Sequence, residues 1–152
     1  SFGSPLGLTV ILDESSMLAP DSAGGMPFVG PFMFAASGIS RFEADAALTT
    51  RYNFVAANVL SKRPNREFAI SARYVLASRV DLSHWFGSGV NSRFVGSYGY
   101  LMFSGVGFSR DMTQAMFYME HMCGLCGGGR FVLMQKVQGR WVTIREEWTW
   151  IS

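Results

Sequence analysis

The sequence predicts an α+β domain in which one long helix packs on a four- to five-stranded antiparallel sheet. Three observations predict it. Aromatic residues make up 14% of the chain, and aromatics suit a pleated, half-buried surface better than a helix. One stretch, 40–60, carries apolar residues at helical spacing. From Tyr98 onward, apolar runs alternate with short turn signals, the mark of successive hairpins.

The bulk properties narrow the class. A chain of 152 residues is long enough for one domain with a real core and too short for two. Hydrophobic residues reach 49% and charged ones only 16%, which argues against a disordered tail. The net charge of +2 and the lack of a dense Lys/Arg cluster argue against a nucleic-acid partner. Lys62, Arg63 and Arg66 flank Pro64 and read as a solvated turn. No apolar run reaches the roughly 18–20 residues of a membrane span. The chain opens at Ser1 with no Met, basic n-region or apolar h-region, which reads as a processed or trimmed protein.

Residues 1–39 read as an irregular N-terminal segment, with one strand at Leu8–Leu12 and then the Pro- and Gly-rich "APDSAGGMPFVGPF". That loop is apolar, which suits a cover over the core or over a ligand. Residues 40–152 form the α+β domain. "SRFE" predicts a capping box, with Ser40 and Glu43 each satisfying the other's backbone N–H. Leu48, Tyr52, Val55 and Val59 then form one helical stripe ending near Leu60. "REFAISARYVLASR" reads as a strand. "DLSHWFG" reads as a helical turn with Asp81 as N-cap and Gly87 as stop, and His84 within it reads as packed or surface structure. "YGYLMFSGVGFSR" is a strand whose Gly99, Gly105 and Gly107 suggest bulges or close backbone approach. "RDMT" turns into the strand "QAMFYMEHM", "CGLCGGG" rounds a corner into "RFVLMQKV", and "QG" turns into "RWVTIREEWTWIS".

The segment from Tyr52 to Ser152 resembles a family of uncharacterised small bacterial proteins. The features that carry the resemblance are "YNFVAAN", "SARYVLAS", "SGVGFSR", the strand and "CGLCGGG" corner after it, the "GRW", and the closing "WIS". Ser109 stands where that family's pattern has Asn. The resemblance implies an extracytoplasmic, periplasmic or secreted home and carries no activity with it. A cytoplasmic home stays open as well.

The corner holds both cysteines, and four readings compete for them. Cys123 and Cys126 form a structural disulfide, as an oxidising compartment would allow, or they pack reduced as small hydrophobes. Alternatively His121, Cys123 and Cys126, with Met119 on the same strand face, hold zinc or copper(I), although no second ligand pair completes a closed site. Thiol–disulfide redox chemistry is the fourth reading; it usually wants a helix N-terminus behind the CxxC. In the last strand, strict alternation would put Glu146 on one face with Val142, Ile144, Trp148 and Trp150. Desolvation there would raise its pKa towards general acid/base use. A bulge at Arg145–Glu147 or a pairing with an arginine is the structural alternative. Met102, Met112, Met116, Met119, Met122 and Met134 read as core filling, or as the lining of an apolar pocket.

The architecture expected from these readings is an NTF2-like or cystatin-like sheet wrapped on a helix. The function expected is a non-catalytic binding or structural module for a small apolar ligand or a protein partner, needing no cofactor. A small lyase, isomerase or hydrolase using Glu146 or His121 is the alternative, and metal handling at the cysteine corner is the third reading. Fold alone does not choose among them.

Overall fold

A computed structural model describes residues 7–13, 39–58, 73–83, 94–123 and 126–152. Within them the elements run β1 (Thr9–Leu12), α1 (Leu48–Ala57), β2 (Tyr74–Ala77), α2 (Arg79–Ser83), β3 (Tyr100–Phe103), β4 (Gly107–Phe108), β5 (Gln114–Met122), β6 (Gly127–Val137) and β7 (Arg140–Ile151). The strands form one sheet in the order β2-β1-β3-β5-β6-β7, with β4 pairing β5 beyond the end of β3. Strand β1 runs parallel to both β2 and β3, and every other pairing is antiparallel.

This overturns the expected fold. The sheet is mixed, not antiparallel, and has seven strands, not four or five. The helix has ten residues and does not run the length of a wrapped sheet, so the NTF2-like and cystatin-like expectation goes with it. The reason lies in β1. Parallel neighbours are joined by long crossovers, so no local turn signal in "TVIL" announces its partners. Its burial does: Val10, Ile11 and Leu12 are all buried, on both faces at once, as a central strand with parallel neighbours requires.

The helix also presents a different face. Leu48, Tyr52 and Val55 are exposed, while Thr50, Phe54 and Asn58 are buried. Backbone fit decides this. At Gly107 an added Cβ would stand 2.1 Å from the Phe54 nitrogen, so glycine alone admits the helix that close. Asn58 donates to the Gly105 carbonyl at 3.1 Å and accepts from the Gly105 N–H at 2.7 Å. Close approach thus explains both glycines, as their place in the strand suggested. The expected start at Ser40 is a separate turn, with Ala46 N–H bonded to the Phe42 carbonyl, and Glu43 pairs with Arg51. The N-terminal end of α1 is instead met by Gln114 of β5, which accepts from Ala47 N–H at 2.8 Å and donates to the Asp45 carbonyl.

A capping box does form at α2. The Ser78 hydroxyl accepts from Asp81 N–H, and the Asp81 carboxylate accepts from Ser78 N–H at 3.0 Å. Asp81 therefore sits in the first turn, not at the N-cap. His84 and Gly87 lie outside the described residues.

Two apolar clusters fill one face of the sheet. Phe42, Ala46 and Phe54 pack on Met116, Tyr118, Phe131 and Leu133. Leu82 and Phe94 pack on Val10, Leu12, Ala77, Tyr100 and Met102. The three C-terminal strands form the expected meander. Gln138 and Gly139 turn β6 into β7 with φ of 49° and 80°, the two positive angles of a hairpin turn that matches strand twist.

Candidate functional site

The site grows from three consecutive glycines. Strand β6 begins at Gly127, so the glycines expected in the corner belong to the ladder, opposite Met122, His121 and Glu120. Without side chains they leave backbone bare on both sheet faces, and an indole occupies each side. An added Cβ on Gly128 would meet the Trp148 ring at 2.8 Å, and one on Gly129 would meet Trp150 Nε1 at 2.4 Å. The two tryptophans reach opposite faces because β7 is not strictly alternating. Register shifts between Gly129 and Arg130 and between Leu133 and Met134 each insert a residue on the β7 side.

On the face that carries the helices, the space above Gly129 is closed by a polar network. Tyr118 Oη donates to Glu120 Oε1 at 2.7 Å, and Trp150 Nε1 donates to Tyr118 Oη at 3.1 Å. The Thr149 hydroxyl lies 3.2 Å from the Tyr118 oxygen and donates to the Gly129 carbonyl at 2.9 Å. Glu120 is only 4% exposed. Desolvation raises its pKa against the opposing pull of its two donors, and desolvation with the nearby carboxylate raises that of Tyr118. Tyr118, Glu120, Thr149 and Trp150 bond one another and the Gly129 carbonyl, so the network fixes a unique packing and offers little to a substrate.

On the other face lies a cleft of about 200 Å³, lined chiefly by Met119, His121, the Cys123–Cys126 disulfide, Arg130, Trp148 and Ile151. The Arg130 guanidinium stacks over the Trp148 ring at 4.8 Å, and its Nε lies 3.4 Å from Glu146 Oε2. Burial lowers the His121 pKa, which favours the neutral imidazole near neutral pH. The cysteines form a disulfide across the end of the β5–β6 hairpin, where Cys123 N–H bonds the Cys126 carbonyl at 2.9 Å.

The sequence-predicted residues thus divide. Met119, His121, Cys123 and Cys126 do share one face and one cleft. With both sulfurs oxidised, no thiolate is present to bind a metal. Among the described residues no group of three or more His, Cys, Asp or Glu side chains is placed to hold an ion. Glu146 is paired with Arg130, and the strict alternation that put it beside Val142 and Trp150 is broken by the bulges. Among the described residues, the carboxylate whose pKa burial raises is Glu120. Its signal was present in "QAMFYMEHM", where Met116, Tyr118, Glu120 and Met122 share a face by period two.

A second depression surrounds the β4–β5 turn, lined by Ser109, Asp111, Thr113 and Gln114. Its polar groups serve the turn itself. Ser109 Oγ donates to Asp111 Oδ1 at 2.6 Å and accepts from Gln114 N–H at 2.8 Å. The Ser109 hydrogen bond is the main cause of the lowered Asp111 pKa.

No family model matches the chain, and neither a curated protein nor a solved structure matches it. The disulfide is the form that an oxidising compartment maintains. Among the described residues no helix is long and apolar enough to cross a membrane.

Proposed function

We propose that the chain is a non-catalytic binding module of an extracytoplasmic bacterial protein, and that it holds a small apolar ligand in the cleft beside the disulfide. The cleft itself is the observation that carries this reading. Met119, Trp148 and Ile151 supply an apolar surface, while Arg130 and His121 supply two polar handles at its side. Binding sites combine those ingredients. The volume of about 200 Å³ is below the roughly 300–1,000 Å³ of drug-sized sites, so the ligand is about the size of one ring, with an acceptor or anionic group facing Arg130. Binding is favoured over catalysis because the nearby carboxylates are engaged. Glu146 is paired, and Glu120 is sealed behind the sheet. The oxidised cysteine pair and the C-terminal motif resemblance support the extracytoplasmic setting.

Titration of the labelled protein with small aromatic carboxylates tests the reading by NMR. The Trp148 indole and Met119 methyl resonances move together, and Trp148→Ala abolishes saturable shifts. Shifts confined to α1 or to the β4–β5 turn would refute it.

A further inference from the structure

We propose that the Cys123–Cys126 disulfide is a thiol-exchange centre, and that its substrate is a peptide carrying two thiols whose apolar side chain rests in the adjoining cleft. The inference rests on the binding reading and adds to it one stoichiometric exchange between the bound molecule and the sulfurs that form one wall of the cleft.

Three observations carry it. First, the bridge closes a loop with a sequence separation of only three, so it removes little chain entropy and contributes little as a staple. The hairpin already holds its corner through nine ladder pairs between Gln114 and Met122 and their partners on β6. Second, the two residues differ in exposure: Cys126 is exposed and Cys123 is half-buried. Third, both line the cleft that Arg130 and His121 also line, and the Arg130 side chain is only 12% exposed. Arg130 stacks on Trp148 and meets Glu146, and a cation lining the same cleft favours a thiolate there; a neutral His121 can take the proton of an incoming thiol.

The exchange balances without another oxidant. A substrate thiolate attacks Cys126 Sγ, the Cys123–Cys126 bond breaks, and Cys123 leaves as a thiolate. The second substrate thiolate then attacks the substrate sulfur of the mixed disulfide, releasing Cys126. The products are a substrate disulfide and a Cys123/Cys126 dithiol, with two electrons transferred to the protein and the two substrate protons released to base or taken up by the new thiols.

The test mixes the oxidised full chain with a synthetic dithiol peptide near neutral pH and follows both partners by mass after acid quench. The comparison is the disulfide of a linear peptide spanning 119–130. The folded protein should react about tenfold faster than that peptide, and equal rates would overturn the proposal. Arg130→Gln should move the ultraviolet thiolate absorbance of the reduced protein to higher pH; an unmoved titration would contradict the part given to Arg130. Offered an oxidised peptide, Cys123→Ser should trap about tenfold more mixed disulfide than Cys126→Ser, and equal trapping would overturn the order of attack. Failure of aromatic carboxylates to bind leaves these rates unchanged, so the two readings fail separately.

Discussion

The two sides of Gly127–Gly129 are built from like parts and end differently. Each side has a tryptophan laid on bare backbone and an ionisable residue of β5 beside it. On the helix side, Trp150 and Glu120 join Tyr118 and Thr149 in a closed network. On the other side, Trp148 and His121 stay at a cleft, and Trp148 remains 45% exposed. Each side does a different kind of work. Burying a carboxylate is costly unless every polar group finds a partner, so the sealed side specifies the packing. The open side keeps its groups within reach of a ligand.

Substitutions can break that contrast. Gly129→Ala should have the largest effect, a loss of about 3 kcal/mol, because the new Cβ would lie 2.0 Å from Tyr118 Oη in a network with no room to move; urea unfolding measures it. Tyr118→Phe should follow at about 2 kcal/mol, since it removes the shortest hydrogen bond to buried Glu120.

The pH dependence sharpens the same contrast. Burial raises the Glu120 pKa, so the folded protein retains that proton where the unfolded chain has released it. Its contribution is therefore most favourable at and below the ordinary carboxylate range, and declines as pH rises through the folded pKa. Glu147, whose pKa is lowered chiefly by its bond from Arg41, and Asp111 act in the opposite sense. Subtracting the stability profile of Glu120→Gln from that of the parent protein isolates the first effect. The difference should fall with rising pH, and a flat difference would contradict the desolvated state of Glu120.

Two smaller effects belong to the open side. Replacing both cysteines by serine should cost about 1–2 kcal/mol and leave the far-ultraviolet spectrum unchanged. Gly128→Ala should cost under about 1 kcal/mol, because the exposed Trp148 ring that the Cβ meets can swing aside. A Gly128→Ala loss equal to that of Gly129→Ala would erase the distinction between the sides.

Much of the C-terminal half was legible in the sequence because its contacts are local. "QAMFYMEHM" alternates, Gln138–Gly139 is a turn signal, and the intended strands pair with their chain neighbours. What was hidden was non-local or backbone-driven. The parallel place of β1 depends on partners some sixty to ninety residues away, Tyr74–Ala77 and Tyr100–Leu101. The face of α1 is chosen by Gly105 and Gly107, so polar Thr50 and Asn58 are buried while Leu48 and Tyr52 are exposed. The candidate site was half legible. Period two placed Met119 and His121 with Cys123, but the two β7 bulges separated Glu146 and Trp148 from Val142 and Trp150. Trp148 reached the site through that bulged register, and Arg130 through its ladder place opposite Met119.

The most direct test of the two-sided account is hydrogen exchange at the two indole N–H groups. The Trp150 proton, bonded to Tyr118 Oη inside the network, should exchange slowly, while the Trp148 proton should exchange at close to the rate of a free indole. Equally fast exchange at both tryptophans would contradict a sealed side, and equally slow exchange would contradict an open one.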